Sequence, residues 1–368
     1  MPLNWQRVRL GDIGKPCMCK RVMKHQTTRY GEIPFYKIGT FGNTADAFIS
    51  KKLFLEYKTK YSFPKKGDIL ISASGTIGRA VIYDGKPAYF QDSNIVWIDN
   101  DETLVKNDFL FYAYSNVKWN TEHTTILRLY NDNFRNTLIP LPPLNEQIAI
   151  ANILSGLDRY LCALDALILK KEGVKKALSF ELLSQRKRLK GFNQAWQRVR
   201  LGDIANYLTS NLSVEQITQQ GKIKVYDVNN FIGYTDTTFI SDKPYISIVK
   251  DGSVGRVRIL PPKTNILSTM GALIANHRTT TEFLFYLLSN FDFKNFTSGS
   301  IIPHIYFKDY KEKTIFLPPL NEQSAIANIL SGLDNEITSL KNKKRQFENI
   351  KKALNHDLMS AKIRVLEK

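Results

Sequence analysis

The 368-residue chain carries 52 Lys and Arg against 34 Asp and Glu, a net charge of +18, with 43% hydrophobic residues. That length and apolar content suit two or more domains with sizeable cores, and no run of about 18 apolar residues offers a membrane span. The opening MPLNWQRVRLGD lacks the apolar core of a signal peptide, and Cys17, Cys19 and Cys162 form no CxxC or Cys/His cluster, which argues against disulfides or structural zinc and for a cytoplasmic chain.

The basic excess is spread along the chain. Residues 1–144 carry 20 basic and 13 acidic side chains, 145–190 carry 9 and 5, 191–320 carry 14 and 10, and 321–368 carry 9 and 6. Such a balance points to a polyanionic partner, although a basic protein that binds no nucleic acid has the same composition.

Taken in chain order, the first recognisable segment is WQRVRLGDI at 5–13, which returns at 196–204, an offset of 191 (196 − 5). FIS at 48–50 returns at 239–241 with the same offset. DILISASGTIGRAVIY at 68–83 reads strand–turn–strand, Gly75 and Gly78 supplying the turn, and KPYISIVKDGSVGRVRIL at 243–260 has the same form. FLFYAYSN at 109–116 and FLFYLLSN at 283–290 predict short apolar helices. LPPLNEQIAIANILSGLD at 141–158 then matches LPPLNEQSAIANILSGLD at 317–334 at seventeen of eighteen positions. The chain is two copies of one module. The second is shorter by 14 residues between FIS and the glycine turn, where the offset drops to 177 (252 − 75).

Each copy predicts a globular α+β head followed by a long helix: heads at 1–144 and 191–320, helices at 145–190 and 321–368. Pro142-Pro143 disfavours helix before Asn145, a good N-cap, and Glu146 suits the positive helix N-terminus. Steps of three and four then trace a seam through Leu154, Leu157, Leu161, Leu164, Ile168, Lys171, Lys175, Leu178, Leu182 and on to Leu189. The second seam runs through Leu330, Leu333, Ile337, Leu340, Lys344, Phe347, Lys351, Leu354 and Leu358. Heptad stripes of this kind bury each other, so the expectation is two pseudo-two-fold-related heads separated by a pair of long antiparallel coiled-coil helices. Lysines inside the seams and Gly173 predict a looser, wetter middle. Met1 and Lys368 both map to position 192 (1 + 191; 368 − 176), so the termini are expected to lie close together.

Two divergent regions, each closed by LPPLNEQ and ILSGLD and a long helix, resemble the specificity (S) subunit of type I restriction–modification enzymes over the whole chain. The GTIGR and GSVGR turns agree with it. The resemblance implies two target-recognition domains that read the halves of a bipartite double-stranded DNA sequence, with the helices setting the spacer. It implies a non-catalytic chain that recruits two modification (methyltransferase) subunits and restriction (translocase/endonuclease) subunits. S-adenosylmethionine, ATP and Mg²⁺ would belong to those partners, with no cofactor in this chain.

Within that reading, Arg79 and Arg256 follow Gly-x-x-Gly turns where backbone can approach phosphate; a hairpin whose glycines only satisfy φ > 0 reads equally well. HTTILRLYNDNFRN at 123–136 and TSGSIIPHIYFKDY at 297–310 interleave polar, basic and aromatic residues as a groove reader would. Thr124, Thr125, Arg128, Asn131 and Asn133, with Ser298, Ser300 and His304, are the candidates there, and ordinary loop polarity is the alternative. Lys20, Arg21, Lys24 and Arg29 in CKRVMKHQTTR add phosphate-contact candidates, or a solvated loop. No GxxxxGK[ST], no [DNS]PP[YFW] and no metal-like histidine spacing occurs. That leaves a binding subunit ahead of a self-contained methyltransferase or nuclease and of a protein-only coiled-coil adaptor.

Overall fold

In the computed structural model, which describes residues 5–123 and 127–365, the two ends of each head's repeated frame are paired with each other. The chain forms two units, Met1–Leu164 with Lys343–Lys368, and Asp165–Asn342.

The first head runs through β1 (Gln6–Arg9), the turn α1 (Leu10–Ile13), β2 (Gly14–Met18), β3 (Ile33–Tyr36), β4 (Phe48–Ile49) and α2 (Lys51–Lys60). It continues through β5 (Ile69–Ser72), β6 (Ala80–Ile82), β7 (Tyr89–Phe90), β8 (Ile95–Asn100) and α3 (Asn107–Tyr114). The pair β9 (Glu122–His123) and β10 (Leu127–Arg128), the turn α4 (Asn131–Asn136) and β11 (Leu138–Leu141) lead into α5 (Leu144–Leu183). Strand β1 lies antiparallel to β11 with Val8 opposite Ile139, which joins the WQRVR segment to the strand that launches the helix. The main sheet is antiparallel in the order β2-β8-β5-β6, and a second sheet, β4-β3-β7, is mixed, β3 running parallel to β7.

Strand alternation splits the interior in two. Ile69, Ile71, Val96 and Ile98 face a core shared with Phe109, Leu110 and Ala113 of α3. Leu70, Ile95 and Trp97, on the opposite face, pack with Phe35 and Tyr89. Both faces are covered, so these strands read as apolar runs.

The second head repeats the plan through β12 (Gln197–Arg200), β13 (Ala205–Thr209), β14 (Ile223–Tyr226), β15 (Phe231–Thr235), β16 (Tyr245–Val249), β17 (Val257–Leu260), β18 (Thr264–Ile266) and β19 (Met270–Ala275). Then follow α6 (Thr281–Ser289), β20 (Thr297–Ser298), β21 (His304–Ile305), α7 (Phe307–Tyr310), β22 (Thr314–Leu317) and α8 (Leu320–Met359). Its sheets are β13-β19-β16-β17, β15-β14-β18, β12-β22 and β20-β21. The 14-residue difference is accounted for by α2. In the first head, Ser50 of FIS caps α2 through its hydroxyl on the Leu53 amide, and Phe54 is buried; in the second, the chain passes from Ser241 almost directly into β16.

Helices α5 and α8 have 40 residues each and run antiparallel within each unit. In the first, Tyr160 of α5 meets Phe347 of α8 at 4.7 Å between ring centroids; in the second, Lys171 of α5 pairs with Glu336 of α8 at 2.7 Å. Of the seam residues, Leu154, Leu164, Ile168, Leu182, Leu330, Ile337 and Leu358 are buried. Leu157, Leu161, Leu178, Leu333, Leu340, Phe347 and Leu354 are half-buried.

Two details differ from expectation. The Pro143 carbonyl accepts the Gln147 amide at 3.0 Å, so helix begins at Leu144 and Asn145 lies inside its first turn instead of capping it. Helix α5 stops at Leu183, short of Leu189, where Gln185 turns to φ 62, and α8 stops likewise ahead of Ala361 at φ 57. The seam lysines are engaged in ion pairs across and along the helices. Lys175 bonds Asp334, Lys351 bonds Asp158, Lys171 pairs with Glu336, and Lys344 reaches Glu348.

Candidate nucleic-acid interface

The glycine turns are built by local hydrogen bonds. The Gly78 amide bonds the Ser72 carbonyl at 2.9 Å, and the Ser72 hydroxyl donates to the Thr76 carbonyl while accepting the Arg79 amide. All four glycines sit at positive φ: Gly75 at 64°, Gly78 at 82°, Gly252 at 81° and Gly255 at 80°. Their surroundings differ. A Cβ on Gly78 would fall 2.0 Å from the Trp119 indole nitrogen, and one on Gly255 2.6 Å from the Phe293 ring, whereas Gly252 has nothing within 4 Å and Gly75 only Ile38 at 3.7 Å. The first glycine of each turn is therefore open to a ligand and the second is sealed by the head's own aromatic. Arg79 and Arg256, just beyond, are exposed.

The segment ahead of each helix docks on this turn. In the first unit the Leu129 amide bonds the Ala73 carbonyl at 2.8 Å, and Arg128 bridges Ser74. The Asn94 carboxamide oxygen accepts the Ser74 hydroxyl at 2.8 Å and Arg128 Nη2 at 3.1 Å, fixing the guanidinium. In the second unit the Gly252 amide bonds the Pro303 carbonyl and the Ile305 amide bonds the Lys250 carbonyl, both at 2.9 Å. Asp251 and His304, equivalent to Ser74 and Arg128, meet through Oδ1 and Nδ1 at 2.6 Å. That contact engages one ring nitrogen, Nδ1, and fixes the imidazole against Asp251. Burial, and then the Asp251 charge, push the nearby Tyr207 hydroxyl up.

Other candidates spread around these cores. Asn131 opens α4 and is exposed, and Asn133 is half-buried in it. Thr124 and Thr125 lie outside the described residues. Exposed Ser298 pairs with His304 across β20–β21, and exposed Ser300 follows near the hairpin tip. Arg21 bonds Asp92 at 2.8 Å, two residues from Asn94, which places it beside the Arg128 cluster. Lys20 lies 5.1 Å above the Tyr61 ring, Lys24 sits in a short helical turn, and Arg29 follows Thr28, which bridges β4. These three are exposed and not drawn into the cluster. Sequence reading missed Asn94, Asp92 and Asp251, which lie in other segments, and Ile301, 92% exposed at the hairpin tip. Only the position of Asp251 immediately before GSVGR offered a signal. Among the described residues no group of three or more His, Cys, Asp or Glu side chains is placed to hold a metal ion, and no helix is long and apolar enough to cross a membrane.

The family model for the type I restriction modification DNA specificity domain matches residues 2–171 and again 193–349. The chain belongs to this specificity-subunit family. A specificity subunit is the DNA-specificity component of its restriction–modification enzyme and not a catalytic one, and the split match falls on the two repeats. A Haemophilus influenzae protein described as a type I restriction enzyme specificity subunit is 64% identical over 152 residues, 41% of this chain and 40% of that one. That match thus spans about two fifths of the relative's length. The type I restriction enzyme MjaVIII specificity subunit of Methanocaldococcus jannaschii is 25% identical over 409 residues, covering 99% of this chain and 94% of that one. The crystal structure of the type I restriction–modification S subunit from M. genitalium shares the fold, with a TM-score of 0.64 at 20% identity over 97% of this specificity subunit and 96% of that chain.

Proposed function

We propose that this specificity subunit binds a bipartite double-stranded DNA sequence, each unit reading one half-site. It assembles with two modification (methyltransferase) subunits and with restriction (translocase/endonuclease) subunits. One observation supports the reading above others: in both units the glycine turn and the segment ahead of the helix are hydrogen-bonded into one polar cluster carrying a held cation or imidazole.

In this proposal Arg79, Arg256, Lys20, Arg21, Lys24 and Arg29 meet phosphates, which position the duplex without reading it. Arg128, Asn131, Asn133, Thr124 and Thr125 in one half, and Ser298, Ser300 and His304 in the other, read base edges. Recognition domains occupy 1–144 and 191–320, and the segments 145–190 and 321–368, which hold most of α5 and α8, form the spacer through their leucine seams. S-adenosylmethionine, ATP and Mg²⁺ act in the partner subunits, and the complex works in the cytoplasm.

Selection of the full chain on a random-sequence duplex library tests this. Two short constant blocks around an unconstrained gap are expected, with affinity falling steeply as salt rises because phosphate contacts release counterions. A single block, or retention indifferent to salt, overturns the proposal. Methyl transfer or cleavage by the chain alone with S-adenosylmethionine and Mg²⁺ would instead support a self-contained enzyme.

A further inference from the structure

Each unit buries a carboxylate gripped both by the head and by the segment just beyond the opposing helix. In the first unit Glu146, at the start of α5 and 2% exposed, accepts the Trp5 indole N–H at 3.0 Å. It also accepts Arg364, from just beyond α8, through Nε at 2.7 Å and Nη2 at 3.0 Å. In the second unit Glu322, fully buried, takes the Trp196 indole at 3.0 Å and Arg188, from just beyond α5, at 3.2 and 2.6 Å.

A second grip lies twelve residues further along each helix (158 − 146; 334 − 322). Tyr112 of α3 donates to Asp158 at 2.7 Å while Lys351 of α8 takes its other oxygen. Tyr286 of α6 donates to Asp334 at 2.8 Å while Lys175 of α5 takes the other. Every grip joins three elements: the head, the helix it launches, and either the antiparallel helix beside it or the segment just beyond that helix's end. Twelve residues span roughly 18 Å of axis and about 120° around it. The apolar core and Gln147, which bonds the Lys106 amide and the Leu104 carbonyl, already hold the first head on its helix; two directional grips so displaced add resistance to both tilt and rotation. Charge-assisted bonds to carboxylate impose the direction that apolar contact lacks.

We infer that Arg364, Arg188, Tyr112 and Tyr286 are positioning residues that set the angle of each head on its helix pair, and through it the gap length the chain accepts between half-sites. This rests on the bipartite reading proposed above. The two copies are tethered unequally. Arg188 precedes Trp196 by eight residues (196 − 188), whereas Arg364 and Trp5 are 359 apart (364 − 5). A short loop keeps the second grip near closure, and the first depends on its contacts alone.

The test uses the full chain and a random duplex library, followed by duplexes carrying the selected blocks at gaps varied by one base pair. The wild type is expected to prefer one gap. Arg364→Gln should reduce that preference about tenfold, the equivalent of 1.4 kcal/mol, with both blocks unchanged. Arg188→Gln should reduce it less, and Arg364→Lys should recover part of it. Tyr112→Phe and Tyr286→Phe, each lacking one hydroxyl, should shift it the same way and serve if the arginine variants unfold. Loss of general stability alone would weaken all gaps together and leave the preference intact; that result overturns the inference while the bipartite reading stands. A wild type that returns no paired blocks overturns the reading, and this inference with it.

Discussion

Gly78 and Gly252 show how much a repeated glycine depends on what stands over it. Both need positive φ, which costs an L side chain about 1–2 kcal/mol, but only Gly78 carries an indole against its backbone. Gly252→Ala should therefore destabilise by about 1–2 kcal/mol, and Gly78→Ala by about 3 kcal/mol or more once overpacking is added; urea unfolding midpoints of the two variants check this. Arg128 and His304 occupy equivalent positions with different hydrogen-bonding capacity. Arg128→Lys keeps the charge and loses the planar fork, so it should relax one position of one block in the selected DNA and leave the other block alone. His304→Ala should do the reverse, and loss of both blocks in either variant would refute the assignment. Burial pushes the hydroxyls of Tyr83 and Tyr245 up to about 12. An unfolded tyrosine titrates near pH 10, so the folded state binds the extra proton between those values. Stability is then complete below about pH 10 and lost as pH rises toward about 12, at about 1.4 kcal/mol per pH unit for each group. Unfolding at pH 9 and pH 11 should show the fall, and Tyr83→Phe should lessen it by one group's share.

Among elements, the helix pair owes its register to polar contacts as much as to leucine. Lys175 and Lys351 interrupt the seam at the points where Asp334 and Asp158 wait on the opposing helix. The aspartates come from the repeated ILSGLD block and the lysines from divergent sequence, so only the antiparallel pairing relates them. At the helix starts the same principle operates deeper. Glu322→Leu leaves Arg188 and the Trp196 N–H without their acceptor, and removing one member of a buried pair costs about 3–5 kcal/mol. Adding Arg188→Leu should recover part of that loss, because two apolar groups pack where one stranded charge did not. Thermal unfolding of the four members of this double-mutant cycle gives the coupling; strict additivity would mean the pair contributes nothing beyond its separate parts.

For the whole molecule, the repeat makes spacing a separable property. Lys171 faces Glu336 and Tyr160 faces Phe347, so positions near 169 and 340 lie opposite each other. Four residues inserted after both Leu169 and Leu340 add roughly 6 Å of helix and keep the two seams in step. The expected result is a selected gap changed by one or two base pairs with both blocks retained. Altered blocks would place base contacts on the helices, and an unaltered gap would mean head angle alone decides spacing.

The repeat, the strand–turn–strand around each glycine pair, the apolar helices and the two seams were all legible in the linear chain, because periodicity and turn chemistry are local properties of the backbone. So was the family, because LPPLNEQ and ILSGLD recur whole. The structure alone decided what those letters are for. NEQ looked like a cap, yet Glu146 is a buried acceptor for Trp5 and Arg364, residues 359 positions apart in the sequence. Lysines that looked like breaks in the seam close ion pairs. The Arg128 and His304 clusters take Asn94 and Asp251 from other segments. A carboxylate's role is set by which charges the fold brings within hydrogen-bond reach, and that distance is not written in the order of residues along the chain.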